Sequence, residues 1–136
     1  MSRAMRGVVA AGIGLLALQL PAAAASGAVR AQGVYSNIAM TASEDYQGME
    51  VIISLTDRGY YAVLQCASGA DATRPLVLPV QVDESAGRLV IAAHDDPDNS
   101  CPAGTLSGRF DRQGLHLHDS DGNDLGLLPR GRSFWQ

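Results

Sequence analysis

The chain has 136 residues, enough for one small domain, and carries 46% hydrophobic and 5% aromatic residues with a formal net charge of −4. All ten basic residues are arginines, so chemistry that needs a lysine, such as Schiff-base catalysis, is excluded. The net negative charge argues against nucleic acid and anionic membrane surfaces as partners, because both require a basic protein surface.

The N-terminal segment has the features of a secretory signal peptide. Arg3 and Arg6 precede an apolar run at residues 8–20 (VVAAGIGLLALQL), and small residues follow it. The run is too short to span a bilayer comfortably. We therefore predict a signal peptide at residues 1–25 with cleavage near Ala25, and a single domain at residues 26–136 that is periplasmic or secreted and does not insert into a membrane. An uncleaved anchor is the alternative.

The first half of the predicted domain shows an early strand and two hairpins. GVYSNIAM (residues 33–40) is the candidate first strand, and TASEDYQG links it to the second. Residues 49–67 alternate apolar and polar around a turn at 57–59, and LVLPVQV (76–82) and RLVIAAH (88–94) do the same. Pro79 cannot donate a ladder hydrogen bond, so we expect it to mark a sheet edge or a bulge. The predicted inward positions are Val51, Ile53, Leu55, Leu76, Leu78, Val80, Val82, Leu89, Ile91 and Ala93.

The second half predicts three more strands. TLSGRF, LHLH and LGLL are separated by the turn-forming stretches DRQG and DSDGND. The predicted inward positions are Leu106, Phe110, Leu115, Leu117, Leu125 and Leu127. About eight short strands without helical periodicity predict an all-β fold, a small antiparallel meander that is closed as a barrel or folded as a sandwich.

Two cysteines are present, Cys66 and Cys101. In an exported chain, two thiols most simply form one disulfide. The alternative, a redox-active pair, requires a closely spaced Cys-x-x-Cys turn, and these two cysteines are far apart in sequence. We therefore predict a structural disulfide.

The stretch LHLHDSDGND (residues 115–124) raises the question of a metal site. Alternation places His116 and His118 together on the outward face, where two imidazoles can share Zn²⁺ or Cu²⁺. Asp119, His94 or Asp95 could supply a third ligand. The alternative is an exposed strand that runs into a polar turn. DSDGND departs from a calcium loop, because Asp124 stands at the position that requires glycine.

Features of an enzyme are few. The sequence has no G-x-S-x-G motif, both cysteines are expected in a disulfide, the histidines are expected on outward faces, and most carboxylates fall in turns. We therefore expect no catalytic activity and no cofactor, apart from a metal ion if His116 and His118 bind one.

The two ends of the predicted domain resemble a family of small exported bacterial proteins. GVYSN (33–37) and LPRGRSFWQ (128–136) match its G-x-Y-S-N opening and R-G-[KR]-S-[FY]-W ending. The resemblance implies a bacterial envelope protein with a compact β fold, and it assigns no catalytic or binding residues. From their aromatic character, we expect Tyr35, Phe134 and Trp135 to close the two ends of the sheet against the core.

A second stretch, CASGAD (66–71), is similar to the start of the Ser-Gly-x-x-Tyr loop of periplasmic lysozyme inhibitors, which insert this loop into the lysozyme cleft. Ser68 and Gly69 match, and Ala72 stands where the tyrosine would be. The resemblance implies a cell-wall hydrolase as partner. Our prediction is a non-catalytic binding or structural module of the cell envelope that contacts an envelope protein. A hydrolase inhibitor and a periplasmic Zn- or Cu-binding protein are the alternatives.

Overall fold

The computed structural model describes residues 27–136, so the predicted signal peptide and its cleavage site lie outside the described residues. Within this range the chain forms nine strands and no helix, and hence no helix that could cross a membrane. The strands are β1 (Gly33–Ser36), β2 (Ala39–Met40), β3 (Tyr46–Thr56), β4 (Gly59–Gly69), β5 (Leu76–Asp83), β6 (Arg88–His94), β7 (Gly104–Phe110), β8 (Gly114–His118) and β9 (Asp124–Pro129).

The strands form one antiparallel sheet. From β3 onward each strand pairs with the next along the chain, and β1 and β2 both pair with β3. The first and last strands approach each other, because Tyr35 bridges Arg130 and the N–H of Gly131 donates to the Val34 carbonyl at 3.0 Å. The predicted meander is confirmed, and it is nearly closed into a barrel rather than folded as a sandwich.

Two side chains join the strands where the barrel closes. The guanidinium of Arg130 lies 5.4 Å from the centroid of the Tyr35 ring and donates to two carbonyls of the segment before β1. The Asn37 side chain accepts from the Met49 N–H at 2.8 Å and donates to the Leu127 carbonyl at 3.4 Å. The GVYSN and LPRGRSFWQ stretches, far apart in sequence, therefore meet at this junction.

The core lies inside the barrel and follows the alternation of the strands. Val51, Ile53, Leu89, Ile91, Leu106, Phe110, Leu115 and Leu117 are buried as predicted. Tyr35 is also fully buried, and its hydroxyl donates to the Ala31 carbonyl at 2.7 Å. Burial raises the pKa of Tyr35, and the charge of Arg130 partly offsets this effect.

Two register irregularities overturn parts of the predicted inward face. The pairing of β6 with β7 shifts between Ile91 and His94, and Ala93, predicted to be buried, is exposed. The pairing of β8 with β9 shifts between Leu117 and His118, next to Gly126 with φ 85°. Because a one-residue shift exchanges the two faces of a strand, Leu127 is 46% exposed and Leu128 is fully buried instead.

The limits of β3 also differ from the prediction. β3 begins at Tyr46, so part of the predicted linker TASEDYQG belongs to the strand, and β3 and β4 are 11 residues long each. At the other end of β3, Leu55 is 46% exposed, although the alternation predicted it to be buried. The reason is that β1 pairs with β3 only as far as Ile53, so Leu55 extends beyond the covered part of the barrel.

The prediction that Pro79 marks a sheet edge or a bulge is wrong, since the pairings of β5 show no register shift at this residue. β5 lies inside the sheet and pairs with β4 on one side and with β6 on the other. Pro79 is paired with Tyr61 of β4, whereas the ladder to β6 begins only at Val80. The missing N–H is tolerated because the strand is paired on one side alone at this residue.

Candidate functional site

The two histidines of β8 share the outer face, as predicted. Their ring centroids lie 5.4 Å apart, and the Nε2 of His116 is 2.9 Å from the Oδ1 of Asp124. The structure thus brings Asp124, not Asp119, against the His116 ring. No group of three or more His, Cys, Asp or Glu side chains in residues 27–136 is arranged to hold a metal ion. Metal binding by His116 and His118 stays a prediction.

His94 differs from its predicted outward position. The bulge at the end of β6 turns its side chain so that it is only partly exposed. A carbonyl can only accept, so the Nε2–H of His94 donates to the Pro102 carbonyl at 2.8 Å. Its Nδ1 is buried and has no hydrogen-bond partner within the described part of the chain. His94 therefore fixes the start of the loop that follows β6.

Ser68 and Gly69 form the last two residues of β4. Ser68 is exposed and pairs with Gln47, and Gly69 pairs with Tyr46. The loop that follows them is tied to the loop after β6 by a 2.5 Å ion pair of Arg74 with Asp96, and the disulfide from Cys66 to Cys101 ties β4 to that same loop. The predicted disulfide is confirmed. Ser68 and Gly69 therefore lie in the sheet, directly before the loop that Arg74 ties to Asp96.

The loop after β8 is held by Asp119. Its carboxylate accepts from the side chain of Asn123 at 2.8 Å and from the backbone N–H groups of Asn123 and Asp121. These hydrogen bonds, that of the Asn123 side chain first, lower the pKa of Asp119. A carboxyl with a lowered folded-state pKa adds stability above its unfolded-state pKa and loses this stability as the pH falls through the folded-state pKa.

We therefore expect Asp119→Ala to destabilise the protein at about pH 6, and this difference from the parent to shrink below about pH 4. Urea unfolding of parent and variant at both pH values measures it. Asp121→Ala is the control, since its carboxylate accepts no hydrogen bond from residues 27–136 and the change should shift the midpoint little at either pH. A destabilisation by Asp119→Ala that is the same at both pH values would contradict the assignment.

A groove of about 680 Å³ lies between the β5–β6 turn and the β7–β8 turn, at the same end of the barrel as the β3–β4 turn. Two of its carboxylates already have donors. Glu84 accepts from the Tyr60 hydroxyl at 2.6 Å, and Asp111 accepts from the Gln113 N–H at 2.7 Å. The Glu84 hydrogen bond is also the main cause that raises the pKa of Tyr60. These carboxylates support turns of the fold.

An exposed aromatic cluster lies at the opposite end. The rings of Tyr46, Phe134 and Trp135 contact one another with centroid separations of 5.0 to 5.7 Å and interplanar angles of 68° to 86°. Phe134 is 36% and Trp135 is 40% exposed, so the prediction that they plug the core is wrong, although it holds for Tyr35. Met40, 58% exposed, pairs with Tyr46 across β2 and β3. We call Met40, Tyr46, Phe134 and Trp135 the aromatic surface.

The aromatic surface is held in place by a buried carboxylate. Glu50 of β3 is only 2% exposed, and it accepts from the Ser133 hydroxyl at 2.6 Å and from the Phe134 N–H at 2.7 Å. The Ser133 hydroxyl oxygen in turn accepts from the Trp135 N–H at 3.2 Å. Charge-assisted hydrogen bonds of this kind are the strong ones, so the last residues of the chain are fixed to the outside of the barrel.

Charge is divided between the two ends of the barrel. We call the end with loops 41–45, 70–75, 95–103 and 119–123 the acidic end, and the opposite end the basic end. The carboxylates at the acidic end are Glu44, Asp45, Asp71, Asp95, Asp96, Asp98, Asp119, Asp121 and Asp124, against Arg74 alone. The arginines at the basic end are Arg30, Arg58, Arg88, Arg109, Arg112 and Arg130, against Asp57, Asp83, Glu84 and Asp111, while Arg132 directly precedes Ser133 beside the aromatic surface. Sequence reasoning missed this division.

Comparisons with known proteins supply no functional assignment for these features. A scan against protein-family models finds no match, and searches of curated proteins and of solved structures find none either. The roles of the aromatic surface and of the two charged ends therefore have to be argued from their geometry and chemistry.

Proposed function

We propose that this chain is an exported, non-catalytic binding module of the bacterial cell envelope. The observation that carries the proposal is the aromatic surface. Fixing residues 133–135 costs conformational entropy, and burying a carboxylate costs solvation free energy, yet Glu50 holds these residues in a position that leaves Phe134 and Trp135 exposed. Rigid, exposed aromatic side chains are what binding interfaces use as anchors.

The location in the envelope rests on two supports. The disulfide between Cys66 and Cys101 is compatible with an oxidising compartment. The second support is the predicted signal peptide at residues 1–25. A binding role without catalysis also agrees with the use of Glu84 and Asp111 as hydrogen-bond acceptors in turns.

Affinity capture tests the proposal. The exported protein, purified with its disulfide intact, is immobilised beside Trp135→Ala and beside Leu55→Ala, which removes an exposed apolar side chain at the basic end. We expect a discrete envelope protein that saturates the parent and Leu55→Ala surfaces and is lost from Trp135→Ala. Equal retention on all three surfaces, or none on the parent, would contradict a binding role for the aromatic surface.

Inhibition of a cell-wall hydrolase is the second candidate, and one observation favours it. Gly69 pairs with Tyr46, so a tyrosine lies beside the Ser-Gly step even though Ala72 occupies the tyrosine position of the resembling loop. We expect the parent to inhibit lysozyme in a lysis assay and Ser68→Ala to lose this inhibition. Ser54→Ala, at an exposed position of β3, is the matched control. Absence of inhibition by the parent would end this candidate.

A further inference from the structure

We infer that the partner of this module is a protein with a basic surface, which docks on the acidic end with the aromatic surface as its anchor. The inference rests on the proposed function and specifies its partner. The two features are continuous, because Asp45 directly precedes Tyr46 and Met40 lies across from Tyr46 in the short β2–β3 pairing. The aromatic surface thus forms part of the rim of the acidic end.

The geometry of the rings points to a protein. Centroid separations of 5.0 to 5.7 Å are ring-to-ring contact distances, so no space remains between the rings for a small cation. The rings also stand at 68° to 86° to one another and do not form the flat platform on which a sugar ring stacks. The three rings form a compact apolar protrusion with Met40 beside it, and a protrusion of this kind fits a pocket on a protein surface.

The charge at the same end specifies the partner. Asp71, Asp98 and Asp121 lie in three different loops and their carboxylates accept no hydrogen bond from the described chain. They are therefore available to pair with arginine or lysine side chains of a partner. Charges spread around an aromatic anchor form the polar rim that protein interfaces have around their buried core.

The acidic loops are held by contacts within the chain before any partner binds. The Asn99 side chain, which donates to the Arg74 carbonyl at 2.8 Å, joins loops 70–75 and 95–103, and the disulfide ties loop 95–103 to β4. Asp119 closes loop 119–123 through hydrogen bonds to its own backbone. A preformed interface loses less conformational entropy on association, which favours binding.

The basic end adds orientation. The acidic end attracts an approaching positive surface, and the arginines of the opposite end repel it. The electrostatic field of the module therefore orients its acidic end toward the partner before contact. Steering of this kind raises the association rate and weakens as salt screens it. The expected signature is therefore a salt-dependent association rate together with a dissociation rate that depends on the aromatic anchor.

The probes are two forms of one protein. Native lysozyme is a defined basic protein, and in succinylated lysozyme the lysines carry carboxylates instead. Binding is followed by interferometry at about 10 mM and about 150 mM salt, where the Debye length is about 30 Å and about 8 Å. The charge variants are Asp71→Asn/Asp121→Asn at the acidic end and Asp57→Asn/Glu84→Gln at the basic end, which change the net charge equally. Trp135→Ala removes the anchor.

We expect native lysozyme alone to bind, with association about tenfold slower at the higher salt. The acidic-end variant should slow association about threefold at low salt and the basic-end variant should not, while Trp135→Ala should speed dissociation about tenfold. Equal effects of the two charge variants would overturn the inference, because the attraction would then be diffuse. Failure of native lysozyme to bind at low salt would also overturn it.

The inference and the proposed function can fail separately. If capture finds a Trp135-dependent envelope protein whose binding is indifferent to salt and to the acidic-end variant, the binding function stands and the basic partner is wrong. Trp135-dependent binding of a neutral oligosaccharide, tested with chitopentaose, would likewise replace the protein partner by a glycan. Lysozyme binding with the expected variant effects supports both.

Discussion

Replacing both Cys66 and Cys101 with alanine is expected to lower the free energy of unfolding by about 4 kcal/mol. The disulfide closes a loop with a sequence separation of 35 residues, and removing it returns conformational freedom to the unfolded chain. Domains of this size have a net stability of about 5 to 15 kcal/mol, so the loss is a large share of the total. Denaturant unfolding of the oxidised parent and the double variant measures it.

Local contacts at the disulfide define what the variant should retain. The Asn99 side chain donates to the Arg74 carbonyl at 2.8 Å, and the Arg74 guanidinium donates to the Asp96 carboxylate at 2.5 Å, so loops 70–75 and 95–103 keep hydrogen bonds to each other without the sulfur bridge. The parent reduced with a thiol is the control and should match the double variant closely. A loss below about 1 kcal/mol would mean that these hydrogen bonds, not the disulfide, hold the two loops.

Much of the barrel can be predicted from the sequence, because the two strands of a hairpin are adjacent along the chain. Alternating apolar residues around Asp57–Gly59 predict the β3–β4 hairpin, and the same pattern predicts β7 and β8. The burial of Val51 and Leu115 follows directly from that alternation. The choice between barrel and sandwich does not follow from it, since closure depends on the contact between Tyr35 and Arg130, which no local pattern contains.

The errors at Ala93, His94 and Leu127 come from irregular strand pairing. A bulge exchanges the two faces of a strand beyond it, so Ala93 and Leu127 are exposed, and His94 turns partly inward. Gly126, with φ 85°, is a sign of the second bulge, because a glycine inside a strand pattern often marks one. The shift between Ile91 and His94 has no comparable sign in the sequence.

One part of the candidate site cannot be predicted from the sequence, and the other part can. The exposure of Phe134 and Trp135 depends on their distant partner Glu50, which occupies an ordinary polar position of β3 in the sequence. The division of charge is accessible, since every second loop of an antiparallel meander lies at the same end. Sorting the acidic turns by alternate loops is enough to place Asp45, Asp71 and Asp121 together from the sequence alone.

Glu50→Ala is expected to release the last residues of the chain and to lower the free energy of unfolding by about 3 kcal/mol. The change removes both hydrogen bonds that hold Ser133 and Phe134, leaves the Phe134 N–H without its acceptor, and empties a space that is 2% exposed in the parent. Trp135 is the single tryptophan of the chain, so its fluorescence emission reports this region directly and should shift to longer wavelength. Denaturant unfolding gives the stability.

Glu50→Gln is the matched control because it keeps the shape and one acceptor oxygen. Its carbonyl oxygen can take the Phe134 N–H, and its amide can donate to the Ser133 hydroxyl oxygen, so we expect a loss below about 1.5 kcal/mol and little change in emission. If Gln and Ala cost the same, the negative charge of Glu50 holds the terminus. If neither variant moves the emission of Trp135, the contacts among the three rings are sufficient, and the buried carboxylate stabilises the barrel without positioning the aromatic surface.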